Sequence, residues 1–173
     1  MPVGSSKWKY LVPLFSFIFF LSCINPFAPK LVEVNKPESI LTNQKTIDDV
    51  FQNFRYAYNF KDTVVYGKLL ADEFVFVFRN YDLGVDRSWG KSEDLKATYG
   101  LFRAASYIDL VWNETYISIG DTLEKNIQRG FSLTIVFSTN DVVRLQGKGN
   151  FKLKFNPADS IWQITYWRDD TYF

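Results

Sequence analysis

Residues 142–170 read VVRLQGKGNFKLKFNPADSIWQITYWRDD and give the clearest structural signal in the chain. In the first half, apolar and small residues alternate with polar ones, a period of two that predicts a strand with one buried face. The NPADS segment at 156–160 predicts a turn, because proline fixes φ while asparagine and aspartate tolerate turn geometry. In the second strand, alternation places Trp162, Ile164 and Tyr166 on one face and Gln163, Thr165 and Trp167 on the other. We therefore expect a long hairpin whose second strand is covered on both faces.

The composition is that of a folded protein with a core of large rings. Of the 173 residues, 47% are hydrophobic and 18% aromatic, and this length accommodates one domain plus an extension. The chain has no histidine, the commonest general base and metal ligand, and only one cysteine. These counts exclude a histidine-ligated or multi-thiolate metal site and an internal disulfide. We predict neither a metal nor a cofactor.

The charge balance argues against a polyanionic partner. The chain has 20 basic and 19 acidic residues, so it is almost neutral. A basic stripe on one strand is interpreted as a solvated face that discourages edge pairing, and not as a nucleic-acid contact. The stripe consists of Lys148, Lys152 and Lys154. We expect no nucleic-acid partner.

The N-terminus predicts a secretory signal. Lys7 and Lys9 precede an apolar run over residues 10–21, which is shorter than the roughly 20 residues that span a bilayer. The segment Phe20-Leu21-Ser22-Cys23 resembles the lipobox of bacterial lipoproteins, although leucine is usual where Phe20 stands. In that family the chain is cut before the cysteine, whose thiol carries a diacylglycerol. The resemblance implies lipidation at Cys23, and an ordinary signal peptide or an inert buried cysteine is the alternative.

The domain organisation follows from this leader. Residues 1–22 are predicted to be a lipoprotein signal peptide, and 23–37, with three prolines, a lipidated cysteine and flexible tether. Residues 38–173 are predicted to form the folded domain. The resemblance implies a bacterial cell-envelope protein held to the membrane by its lipid. With Ile24 and not Asp after the cysteine, it implies the outer membrane where two membranes are present.

The first half of the domain predicts three helices. Thr46 is a plausible N-cap, and apolar residues recur at helical spacing from Ile47 to Tyr58. A shorter helix is expected at about 63–71 and a third helix at about 92–105, with a strand at 74–79 between them. Residues 80–90, including Trp89, are interpreted as a long polar loop. Strands at 106–112, 114–119 and 127–139 precede the terminal hairpin.

Helices gathered before strands predict an α+β domain, with three N-terminal helices in the concave face of a curved, mostly antiparallel sheet of four to six strands. Three segments carry a resemblance to a family: Tyr56-Ala57-Tyr58-Asn59 followed by Asp62, Leu69-Leu70 before Phe74, and Trp162-Gln163-Ile164 with Trp167. They are similar to the NTF2-like (cystatin-like cone, SnoaL-type) fold, which includes ketosteroid isomerases, dehydratases and many lipoproteins. The resemblance covers about residues 38–170.

This resemblance implies chemistry inside the cone by an aspartate with tyrosine or by a His-Asp pair, and the lack of histidine excludes the second. Asp109 lies opposite Ile108 and Leu110 in its strand, so we interpret it as solvated and predict no catalytic residue. Asp169 and Asp170 lie either at the mouth of the cone or at a charged strand end. The expected ligand pocket is an apolar hollow walled by Tyr58, Trp112 and Trp167, with Arg144 as a polar contact. The Trp89 loop would act as its lid.

Three functions remain open. The leading one is a lipid-anchored protein whose non-catalytic domain binds a small apolar ligand or serves in assembly. The second is an isomerase or dehydratase that uses Asp and Tyr in the cone, and the third is a structural module that forms a homodimer through its sheet. A buried aspartate facing the cone, with a tyrosine within hydrogen-bond reach, would favour the enzyme. We also expect Trp162 and Ile164 to pack on Phe51 and Phe54 of the main helix.

Overall fold

The computed structural model describes residues 41–172, so the predicted signal peptide, Cys23 and the tether lie outside the described residues. The helices are α1 (Ile47–Asn59), α2 (Thr63–Leu69) and α3 (Lys91–Ala104). The strands are β1 (Leu70–Asn80), β2 (Val85–Gly90), β3 (Tyr107–Gly120), β4 (Glu124–Ser138), β5 (Asp141–Asn156) and β6 (Ile161–Tyr172). In this part of the chain, no helix is long and apolar enough to cross a membrane.

The strands form one sheet in the order β2-β1-β6-β5-β4-β3. Neighbouring strands are antiparallel except β1 and β6, which run parallel. The three helices pack against the concave side of this curved, open sheet. The architecture confirms the predicted α+β class and is the NTF2-like cone.

Local sequence signals fix where the first two helices begin. The Thr46 hydroxyl accepts a hydrogen bond from the Asp49 amide at 3.1 Å, and the Asp49 carboxylate accepts one from the Thr46 amide at 2.9 Å. This reciprocal capping box satisfies amides that the first turn leaves unpaired. Asp62 caps α2 with its side chain alone, which accepts from the amides of Val64 and Val65. The predicted N-cap at Thr46 is therefore confirmed.

The core is organised around Phe54, which is 1% exposed. Its ring contacts five other rings, four edge to face and one stacked, with centroid separations of 5.0 to 6.5 Å. These rings belong to Tyr58, Tyr66, Trp112, Phe151 and Trp167. Because they come from α1, α2, β3, β5 and β6, one side chain ties two helices to three strands.

A β-bulge in β6 changes the predicted faces of the terminal strand. Lys152 pairs with Tyr166 and Leu153 pairs with Ile164, so Thr165 has no partner position across the ladder. The prediction from strict alternation is consequently wrong for the last residues. Tyr166 lies on the outer face, where the Lys152 ammonium is 5.4 Å from its ring centroid, and Trp167 turns inward.

The inward turn of Trp167 also changes which residues meet the main helix. Phe54 contacts Trp167, and Phe51 contacts Phe151, both edge to face. Trp162 packs its ring on Phe155, next to the turn of the hairpin, with centroids 5.7 Å apart. The expected ring contacts of Trp162 with Phe51 and Phe54 are replaced by these.

The segment predicted as a long polar loop, residues 80–90, is mostly a strand. Residues 85–90 pair antiparallel with the end of β1, and only residues 81–84 form the turn. Trp89 packs on Phe76 and Phe78, with centroids 4.9 Å apart in both pairs. The prediction of a lid at Trp89 is therefore wrong. The strand was missed because β2 is a polar, mostly exposed edge strand without apolar alternation.

Candidate functional site

Three of the four predicted pocket residues come together. Tyr58 is buried against Phe54 and Phe102, with ring centroids 5.0 and 5.3 Å away. Trp112 and Trp167 each contact both Phe54 and Phe151. The Trp112 indole N–H is already used, since it donates to the Phe51 carbonyl at 2.9 Å.

Arg144, the fourth predicted pocket residue, lies elsewhere. It pairs with Thr134 near the β4–β5 turn, and its side chain is exposed. It stands three positions along β5 from Gly147, which pairs with Phe131. The structure does not bring its side chain into the aromatic cluster around Phe54.

A carboxylate that the sequence analysis did not select lies inside the domain. Asp94, in the first turn of α3, is 3% exposed. The Tyr66 hydroxyl donates to its Oδ2 at 2.6 Å, and the Trp89 indole N–H donates to its Oδ1 at 2.9 Å. Burial raises the pKa of the Asp94 carboxyl, and these two hydrogen bonds oppose the rise. A buried aspartate with a tyrosine in hydrogen-bond reach is thus present.

The hydroxyl groups of Tyr58 and Thr98 belong to the same hydrogen-bonded cluster as Asp94 and Tyr66. Burial raises the pKa of both Tyr58 and Tyr66, and the neighbouring Asp94 carboxylate raises each further. Both tyrosines are therefore neutral over the whole physiological range. They act as hydrogen-bonding groups, and the Asp94 cluster joins α1, α2, α3 and β2.

A second desolvated carboxyl group lies on the concave face of β6. Asp169 pairs with Gly149 of β5 and with Phe78 of β1. Burial raises the pKa of Asp169, although the Thr171 hydroxyl donates to its Oδ1 at 2.6 Å. Within residues 41–172 no cation is paired with it, whereas its neighbour Arg168 binds Asp86 and Asp170.

The indole N–H of Trp167 is close to this carboxyl in the sheet. Its Nε1 atom is buried and has no hydrogen-bond partner within residues 41–172. It lies over Gly149, where an added Cβ would come within 3.2 Å of it and still closer to the Phe151 ring. Glycine is needed here because the two aromatic rings occupy the space of a side chain.

Asp94 was not selected from the sequence, and Asp169 was left undecided between the mouth of the cone and a charged strand end. Asp94 looked like an ordinary first-turn acid, because its partners lie 5 and 28 positions away in the chain. Asp169 lies on the same face of β6 as Trp167, and the β-bulge at Thr165 places that face on the concave side. The alternating Gly147 and Gly149 were the one usable signal, since glycine inside a strand often marks close approach.

The remaining acid considered, Asp109, has a structural contact. Its Oδ1 accepts from the Asn59 amide at 3.4 Å, and the Asn59 oxygen accepts from the Leu110 amide at 2.7 Å. These bonds join the end of α1 to β3. Within residues 41–172, no three acidic or cysteine side chains are grouped to hold a metal ion.

No family model and no curated protein sequence matches this chain. Solved structures do match. A conserved protein from Planctomyces limnophilus has a TM-score of 0.64 at 16% identity, covering 73% of this chain and 93% of that one. An NTF2-like superfamily protein from Salmonella enterica serovar Typhimurium has a TM-score of 0.59 at 16% identity, covering 74% and 89%. A protein provisionally described as a scytalone dehydratase, from Novosphingobium aromaticivorans, has a TM-score of 0.60 at 10% identity, covering 73% and 82%. At these identities the likeness shows the NTF2-like fold alone.

Proposed function

We propose that this protein is a lipid-anchored component of the bacterial cell envelope whose NTF2-like domain binds a small, mostly apolar molecule on its concave face. The observation that carries this proposal is the pair of Trp167 and Asp169, which share the concave face of β6. It combines an unpaired buried N–H with a desolvated carboxyl group among aromatic rings. Apolar walls with a few polar groups in place are typical of ligand sites.

The Trp167 indole N–H has unused hydrogen-bonding capacity within residues 41–172. A buried donor without a partner costs about 1–3 kcal/mol, so an acceptor on the ligand would recover free energy at Trp167. Asp169 has no paired cation within residues 41–172, and burial raises the pKa of its carboxyl group, so a hydrogen-bonding group on the ligand would offset part of that desolvation. The ligand that fits carries a carbonyl or hydroxyl group for these two polar groups and an apolar part for the aromatic side chains beside them.

Binding is tested with the full chain in detergent, a panel of small ketones and alcohols, and tryptophan fluorescence. The variant Trp167→Phe keeps an aromatic ring but removes the N–H, and we expect it to weaken binding by about tenfold. Trp112→Phe is the matched control, because that N–H is already bound to a carbonyl. Equal losses in the two variants, or no saturable quenching in the wild type, would contradict the proposal.

A second candidate is acid-base catalysis in the same place, as an isomerase or dehydratase. It is favoured by the desolvated Asp169 carboxyl group on the concave face, within a domain that also buries Asp94 beside the Tyr66 hydroxyl. A carboxylate on an apolar wall can serve as a general base. Deuterium incorporation at the α-carbon of a bound ketone, followed by NMR in D₂O, would detect it, and Asp169→Asn should abolish the exchange while leaving binding measurable.

The lipid anchor is tested separately. We expect Cys23→Ser to abolish labelling by a radioactive fatty acid and to release the chain from the membrane fraction or leave it unprocessed. The physical reason is that stable anchoring requires two acyl chains, which a diacylglycerol on Cys23 would supply. Unchanged labelling in the variant would sink the assignment. Homodimerisation through the sheet stays a prediction, to be checked by light scattering of the same preparation.

A further inference from the structure

Beside α1 lies a cavity of about 280 Å³, and neither Trp167 nor Asp169 lines it. Two guanidinium groups border it, Arg55 from α1 and Arg129 from β4. The other residues that line it are Asp48, Phe51, Gln52 and Trp112.

Arg129 is held in a fixed and partly desolvated position. Its guanidinium carbon is 4.8 Å from the Phe51 ring centroid and 5.8 Å from that of Trp112. Its Nε donates to the Asn113 carbonyl at 3.3 Å. This bond does not use the two terminal nitrogens of the guanidinium group. Packing on two rings and one carbonyl orients the side chain before any ligand arrives.

The charges around Arg129 are unbalanced. Burial lowers its pKa, Asp48 opposes this, and Arg55 lowers the pKa by a smaller effect than that of Asp48. Within residues 41–172, no carboxylate lies in ion-pair distance of either arginine. Arginine cannot lose its proton in a protein, so two positive charges border this cavity against the single negative charge of Asp48.

We propose that this cavity is an oxyanion-binding site, in which Arg55 and Arg129 bind a carboxylate or phosphate group of a ligand. The planar fork of a guanidinium matches such groups with two parallel hydrogen bonds. A bound anion would offset both the repulsion between the arginines and the desolvation of Arg129.

The cavity beside Arg55 and Arg129 is distinct from the part of the sheet that carries Trp167 and Asp169, although both face the concave side. Arg129, Gly149 and Asp169 occupy one cross-strand row, with Gly149 in the middle. The Phe151 ring lies over Gly149, where a Cβ would come within 2.5 Å of it. This ring separates the two charged groups, so the anion site is independent of the function proposed above.

Calorimetric titration of the full chain in detergent tests the proposal, with inorganic phosphate and benzoate as probes at constant ionic strength. We expect saturable binding that Arg55→Gln weakens by about tenfold. Asp48→Asn removes the opposing charge and should tighten binding by about two- to threefold. Arg144→Gln is the matched control, because it deletes the same charge at an exposed position outside the cavity and should leave the affinity unchanged.

The outcomes separate a built site from general attraction. Binding of both probes with the expected order of variants supports an oxyanion site. Equal weakening by Arg55→Gln and Arg144→Gln would overturn it, as would the absence of saturable heat at about 50 mM of either probe, where a site of about 1 mM affinity is nearly full. Tighter binding in Asp48→Asn without weakening in Arg55→Gln would also overturn it.

Discussion

Replacing Phe54 with alanine is expected to lower the free energy of unfolding by about 3–5 kcal/mol. The side chain is 1% exposed and contacts five aromatic rings. Those rings belong to separate helices and strands that cannot all move inward, so the substitution leaves a cavity in addition to the lost transfer free energy. Urea unfolding of the full chain in detergent, followed by circular dichroism, measures the loss.

Phe60→Ala is the matched control for this prediction. Phe60 follows α1 and is 61% exposed, with its ring 4.7 Å from that of Tyr56. Removing the same ring from this surface should change the free energy of unfolding by about 0.5 kcal/mol or less. If the two variants lost similar amounts, Phe54 would not be the centre of the core, and the aromatic cluster would be looser than the ring distances indicate.

The positions of the helices and the terminal hairpin could be predicted because their causes are local. The Thr46 cap and the helical spacing after it predict α1, and the turn at 156–160 predicts the hairpin. Capping boxes and proline turns act over three to five residues, so the sequence shows both partners. The α+β class then follows from the order of the elements.

The features that decide the candidate site act over longer distances. The bulge at Thr165 leaves no local pattern, yet it turns Trp167 and Asp169 to the concave face. The unpaired Trp167 N–H depends on β5, which supplies Gly149 below it. The parallel pairing of β1 with β6 joins residues about 90 positions apart. A side chain whose role is set by such pairings cannot be selected from its neighbours in sequence.

Asp94→Ala is the second substitution with a large expected effect, a loss of about 2–5 kcal/mol at neutral pH. It leaves the Tyr66 hydroxyl and the Trp89 N–H without their acceptor in the interior, and each unsatisfied group costs about 1–3 kcal/mol. Asp72→Ala is the control. Asp72 is fully exposed and bonded only to Lys91 at 2.9 Å, so its removal should cost less than about 1 kcal/mol.

A double variant separates lost hydrogen bonds from altered packing. Tyr66→Phe in the Asp94→Ala background removes the hydroxyl that would otherwise stay unpaired. Deleting both partners of a buried hydrogen bond is less costly than deleting one. We therefore expect the double variant to be more stable than Asp94→Ala alone. If it is less stable by as much as Tyr66→Phe costs in the wild type, the hydroxyl was not paired with Asp94.

The direction in which the pKa of Asp94 is shifted predicts how the stability lost in Asp94→Ala depends on pH. Burial raises the folded-state pKa of Asp94 above its unfolded value of about 3.9, so the native state retains this proton longer than the unfolded state does. The stabilising contribution is complete below about pH 3.9 and is lost as the pH rises through the folded pKa. The difference in unfolding free energy between the wild type and Asp94→Ala should therefore shrink with rising pH over that window, and other titrating groups cancel in the difference. A difference that grows with pH would show that the two hydrogen bonds outweigh the cost of burial, and that Asp94 is held as a firmly ionised group.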